Sequence, residues 1–202
     1  MSLNSNYKKW HKPNTSGTKT QGGTSRTFQG YYNVVNKEKY IGNPNEAIYR
    51  SGWEFSFMRW CDYSPSILRW SAEPISVKYG DPTAKLEEYH KYNLDPSDPR
   101  NWLVKNYHID FYVEIDKTDH IEKWFIEIKP QHCLKKPVPP SKDSSLKIQR
   151  KFVNEAKEYL INESKWKAMN EYAVKVGAKF FVFTEIQLER LLGKFFLEKP
   201  TK

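Results

Sequence analysis

Residues 107–130 read YHIDFYVEIDKTDHIEKWFIEIKP, and the reading of this stretch decides the fold. Apolar side chains recur at every second position in two runs, Tyr107, Ile109, Phe111, Val113 and Ile115, then Trp124, Ile126 and Ile128. A period of two marks strands with one face buried. The polar Asp116-Lys117-Thr118-Asp119 between the runs predicts an antiparallel hairpin, and Pro130, with no ladder donor, ends the second strand. Alternation takes Asp110 off the apolar face of the first strand, and Phe125, Glu127 and Lys129 off that of the second. With residues 115 and 120 closing the turn, position 110 falls opposite 125 and diagonal to 127. Asp110, Glu127 and Lys129 then gather on one polar face.

Two converging carboxylates with a backbone carbonyl such as that of Ile128 form a hard oxygen site suited to Mg²⁺ or Mn²⁺. A metal held there lowers the pKa of its water and neutralises phosphate charge, and a neighbouring lysine orients that water or stabilises the transition state. Phosphodiester hydrolysis is the natural use of such a set. The same residues also read as a solvated strand face with a cross-strand ion pair, which contributes about 0–1 kcal/mol and carries no function. Spacing leaves both readings open.

A chain of 202 residues holds one domain with a real core and room for extensions. Its net charge of +9 favours a polyanionic partner, most simply nucleic acid. No apolar run has spanning length and the N-terminus carries no signal-peptide pattern, so the reading is a protein made in the cytoplasm with no membrane partner. Cys61 and Cys133 are isolated, without the spacing of a zinc site or a disulfide framework.

Residues 1–40 are rich in Gly, Ser, Thr, Asn and Lys and lack a sustained apolar period, which predicts a flexible basic N-terminal arm. Seven Lys or Arg stand there against Glu38 alone, so six of the nine excess positive charges lie in this segment. Such an arm follows a phosphate backbone, docks on a partner protein, or merely solubilises. The rest, residues 41–197, reads as one domain. Ser51 with Glu54 three positions on is a capping box opening a helix that Ser64-Pro65 ends. Short strands are expected around 67–70 and 75–79, extending the hairpin's sheet, and residues 80–106 read as a long excursion without an element. Two helices are expected between about 145 and 177, broken at Asn162 or Ser164. Lys179 to Thr184 reads as an interior parallel strand, and a last short helix follows from Glu185 to Leu192. The expected fold is α/β, a mixed central sheet with helices on both sides.

An acid on the first helix, an Asp on one strand and Glu-x-Lys on the next resemble the PD-(D/E)xK, restriction-endonuclease-like superfamily, with Ile109 where that pattern has proline. More specifically, Lys39–Pro44, Tyr49–Glu54, Ile109–Phe111, Phe125–Pro130, Lys165–Ala168 and Phe183–Glu185 resemble the head completion nucleases of contractile-tailed bacteriophages. That resemblance covers roughly residues 39–192. It implies a Mg²⁺- or Mn²⁺-dependent endonuclease acting on packaged double-stranded DNA at the portal vertex or neck of the virion, among portal, neck or capsid proteins, before tail attachment. It assigns metal binding to Asp110, Glu127 and the Ile128 carbonyl, water positioning to Lys129, and a further metal or water to Glu54. Tyr49 and Arg50 become candidates for the scissile phosphate, and the basic Lys135 and Lys136 for the substrate strand. A catalytically silent neck protein docking by its N-terminal arm, and a cellular nuclease of the same fold, are the alternative readings. Oligomeric state is not read from the sequence.

Overall fold

A computed structural model describes residues 29–84 and 86–193. Most of the expected arm, residues 1–28, lies outside the described residues. The elements in chain order are β1 (Gly30–Tyr31), β2 (Ile48–Tyr49), α1 (Gly52–Tyr63), β3 (Ile67–Ala72), β4 (Ser76–Asp81), α2 (Leu86–Lys91), β5 (Leu103–His108), β6 (Phe111–Asp116), β7 (Ile121–Ile128), α3 (Leu146–Lys175), β8 (Lys179–Phe183) and α4 (Glu185–Leu192). The central sheet has the order β3-β6-β7-β8, antiparallel except for the β7–β8 pair. This mixed sheet lies between helices on both faces. On one side α1 and α4 pack Phe55, Phe57, Met58, Leu188 and Leu192 against Phe111, Val113, Ile126 and Ile128. On the other, α3 packs Met169 and Ala173 against Phe125, Tyr107 and Ile109.

The hairpin forms with a different register from the one expected. Asp116 pairs with Ile121, Phe111 pairs with Ile126, and Lys117 N–H donates to the His120 carbonyl at 2.9 Å to close the turn. One step beyond this ladder, Asp110 comes opposite Glu127 rather than Phe125, which brings the two carboxylates closer than the sequence register did. The apolar run 107–115 is also not one strand. Its first part, β5, pairs with β4 in a separate two-stranded ribbon, while β6 pairs with β3 and β7. The change of partner occurs at Ile109-Asp110, where Ile109 N–H reaches the Ile75 carbonyl and the Asp110 carbonyl accepts from Glu73 N–H at 2.9 Å. Neither β4 nor β5 therefore extends the central sheet. The excursion at 80–106 has structure of its own, namely the ends of that ribbon and the short α2.

Two further expectations are corrected by packing. The predicted pair of helices is a single 30-residue helix, α3, roughly 45 Å long at 1.5 Å per residue. Asn162 and Ser164 do not cap a new helix, because an Asn in a helix interior costs only about 0.7 kcal/mol. The Ser164 hydroxyl is instead taken by the Gly80 carbonyl at 2.5 Å. β8 is an edge strand among the described residues, not an interior one. Its apolar run on both faces arises because helices cover both faces, which an edge position satisfies equally well. Residues 30–40, assigned to the arm by composition, are packed. Tyr32 and Val34 are buried in the core, and the buried Asp62 accepts from the Tyr32 hydroxyl and from the backbone N–H groups of Val35 and Asn36 at 2.8–2.9 Å.

Candidate active site

Four elements converge where β6 begins and β7 ends. Asp110 stands at the corner between β5 and β6, Glu127 on the penultimate residue of β7, Lys129 just past its end, and Glu54 in the first turn of α1. The local sequence explains each placement. Pro130 stops β7, so the Lys129 side chain is the last to leave the strand on the face shared with Glu127. Ser51 caps α1, its hydroxyl accepting from Glu54 N–H at 3.1 Å, which fixes Glu54 on the first turn.

Glu127 is 3% exposed. Its Oε2 accepts from the Tyr107 hydroxyl at 2.7 Å and its Oε1 lies 3.1 Å from Lys129 Nζ. Asp110 Oδ2 accepts the Ile128 N–H at 2.8 Å. Successive residues of a strand present their backbone groups to opposite neighbours. Lys129 N–H goes to Phe183 of β8, so the Ile128 N–H and carbonyl face the Asp110 side. Glu54 Oε2 accepts from Arg50 N–H at 2.7 Å and Oε1 from the Ser51 hydroxyl at 2.9 Å. The acid on the first helix thus holds the entry to α1, taking the Arg50 N–H where the expected capping box would take that of Ser51, while its charge still reaches Asp110 and Lys129.

Electrostatics mark the centre. Burial, then the carboxylates of Glu127 and Glu54, hold the Asp110 carboxyl well above the ordinary range, against the opposing Ile128 N–H and Lys129 charge. Burial also raises Glu54. Desolvation alone would lower Lys129, but the Glu127 and Asp110 carboxylates outweigh it and raise its pKa, so it remains an ammonium at neutral pH. Its chemistry is that of a fixed positive charge and hydrogen-bond donor, not of a base. Burial and the adjacent Glu127 carboxylate drive the Tyr107 phenol far upward, so it stays a donor.

Among the described residues, no three His, Cys, Asp or Glu side chains close around one point as a ready-made metal cluster. The donors on hand are the Asp110 and Glu127 carboxylates and the Ile128 carbonyl, all oxygen. Like charges press on Asp110 and the nearby cations oppose them only in part, an imbalance that a hard divalent cation relieves. This donor set fits Mg²⁺ or Mn²⁺ with several waters retained.

The other predicted residues are placed unevenly. Arg50 is at the rim, its guanidinium on Glu73 Oε1 at 2.6 and 3.0 Å. That exposed pair is worth about 0–1 kcal/mol. Tyr49 does not line the site: it is 2% exposed, in the core against Phe55. Lys135 and Lys136 are exposed and line a cleft of about 300 Å³ with His132, Cys133, Glu155 and Tyr159. Cys133 of this cleft stands four positions after Lys129, on the segment that follows β7. Sequence reasoning missed Tyr107 as the anchor of Glu127. The available signal was a tyrosine at a core position, whose hydroxyl must find a partner when buried.

The family model that matches the chain is the TnsA-like endonuclease N terminal, over residues 64–185. That span takes in Asp110, Glu127 and Lys129, with Glu54 just outside it. The head completion nuclease of Enterobacteria phage T4 is 30% identical over 164 residues, covering 81% of this chain and 95% of that protein. No solved structure gives a significant match.

Proposed function

This chain belongs to the TnsA-like endonuclease family, with a restriction-endonuclease-like core, and on that footing we propose that it is a metal-dependent nuclease hydrolysing phosphodiester bonds of double-stranded DNA during phage head completion. The observation that carries the proposal is the meeting of Asp110, Glu127 and Lys129 at one sheet end, with Lys129 Nζ 3.1 Å from Glu127 and Asp110 held by the backbone of Ile128. This set follows the PD-(D/E)xK pattern.

Asp110, Glu127 and the Ile128 carbonyl would hold Mg²⁺ or Mn²⁺, which supplies Lewis-acid polarisation of water and neutralises charge on the phosphate. The chain's own residues do the rest. Tyr107 and Lys129 lock the Glu127 carboxylate from two sides, so it needs no reorganisation as charge develops. Lys129, kept protonated by its acidic neighbours, donates to the attacking water or to the phosphate oxygen gaining charge. Glu54 stiffens the entry to α1 and adds to the negative field that draws the cation. Arg50, exchanging Glu73 for a phosphate, and Lys135 and Lys136 along the cleft that follows β7 hold the strand. The resemblance to a head completion nuclease and the basic residues 1–28 support action on packaged DNA at the portal vertex, with that stretch engaging DNA or a neighbouring portal or capsid protein.

The deciding experiment is cleavage of linear and branched duplex DNA in Mg²⁺ or Mn²⁺, with the wild type beside Glu127→Ala. Metal-dependent cutting by the wild type, reduced on the order of a hundredfold or more in the variant, is expected. Equal cutting by both folded proteins would remove Glu127 from the site. No cutting on any substrate would favour the silent neck protein.

A further inference from the structure

α3 brings a second cation to the wall that holds Glu127. Lys165 Nζ lies 5.4 Å from the ring centroid of Tyr107 and 5.6 Å from that of Tyr79. The hydroxyl of that same Tyr107 is hydrogen-bonded to Glu127, whose other oxygen is held by Lys129. Lys165, Tyr107, Glu127 and Lys129 therefore form one continuous row. The neighbouring Ser164 pins this turn of α3 to β4 through the Gly80 carbonyl, so the position of Lys165 is set by the fold and not by a free side chain.

The nearby acids already have cations of their own. Asp81 is paired with Lys105 at 2.7 Å and Glu127 with Lys129 at 3.1 Å. Half-buried Lys165 has no carboxylate in ion-pair contact among the described residues, only the faces of two tyrosines. Burial, then repulsion from Lys129, depresses its ammonium, and the more distant Glu127, Asp81 and Asp110 offset this only in part. Lys165 thus reaches the wall of the proposed site through Tyr107 with no carboxylate in ion-pair contact among the described residues, and a phosphate oxygen is an acceptor that suits a lysine.

We propose that Lys165 is a substrate-contacting residue of this site, its ammonium holding a non-bridging phosphate oxygen of the cut strand on the α3 side, while Lys129 serves the reacting phosphate. The inference rests on the nuclease reading and adds the helix as a phosphate-binding wall. A purely packing role, a lysine stem covering two tyrosines, makes a different prediction: lost stability with no change in the salt dependence of DNA binding.

The test uses the full chain carrying Lys165→Met or Lys165→Arg. Binding of a fluorescent duplex is measured in Ca²⁺ across a KCl series, and single-turnover cleavage in Mg²⁺. Loss of one phosphate contact lowers the slope of log affinity against log salt by about one. Lys165→Met is expected to show that change and a fall in kcat/KM on the order of tenfold to a hundredfold, with Lys165→Arg keeping most of both. An unchanged slope in Lys165→Met overturns the proposal, whatever its thermal stability. If Lys165→Met does not fold, Lys165→Gln gives the same reading. If the wild type cuts nothing in any metal, the nuclease reading falls, and the slope still decides whether Lys165 touches phosphate.

Discussion

Asp110 concentrates the conflict of this site in one side chain. Burial and two neighbouring carboxylates raise its pKa in the folded protein. A carboxyl raised in this way contributes stability fully only below its unfolded pKa, about 3.9, and that contribution is lost as pH rises through the folded value. Ionising Asp110 in the metal-free protein therefore costs stability. Asp110→Asn keeps an oxygen for the Ile128 N–H and removes the charge. It is expected to abolish cleavage and yet raise the thermal transition without metal by a few degrees, about 2–4 °C corresponding to 1 kcal/mol in a chain of this size. Added Mg²⁺ should stabilise the wild type and not the variant. Scanning calorimetry with EDTA and with Mg²⁺ checks both, and a lowered transition in EDTA would contradict the charge argument. Alternation along β7 was enough to put Glu127 and Lys129 on one face, while Asp110 meets them through the corner between β5 and β6 and a register other than the expected one. What it could not show was Lys165, because which turn of a helix meets a sheet is decided by tertiary packing.

Among the elements, β1 and the residues after it were the least legible. Their composition resembles a tail, and two buried side chains at alternate positions, Tyr32 and Val34, are too short a pattern to read as a strand. Their hold comes from a distance: Asp62, near the end of α1, gathers three donors from residues 32–36. Removing residues 1–38 is therefore expected to lower the unfolding transition markedly. It exposes core surface worth about 1.5–3 kcal/mol for each large apolar side chain lost and strips a buried carboxylate of its partners. An unshifted transition in thermal or urea unfolding would show the segment to be dispensable. The hairpin, α1 and α4 were legible because capping residues and strict periods bounded them. Continuity of α3 and the edge position of β8 were not, since neither a helix running through Asn162 nor the partner of an apolar strand leaves a local mark.

On the scale of the whole molecule, the two ladders that define the fold both reach across the excursion. β3 lies before it and pairs with β6 after it, and β4 pairs with β5 in the same way. Mixed α/β architecture was legible from element order, whereas the division into a sheet and a separate ribbon turned on the single corner at Asp110. Between Tyr92 and Ser97 the excursion is exposed, and Glu54 stands on one side of it with Asp110, Glu127 and Lys129 on the other. Covalent continuity at that point carries little of the structure. Two polypeptides, 1–94 and 95–202, made together are expected to zip into one particle with the site restored across the gap, assayed by co-purification and DNA cleavage. Alone, 1–94 lacks the partners of β3 and β4, and 95–202 keeps β6, β7 and β8 paired but loses β3, β4 and the α1 side of the core, so neither half should fold stably or cut DNA. The nuclease would then behave as an obligate pair of fragments, each inert until it meets the other.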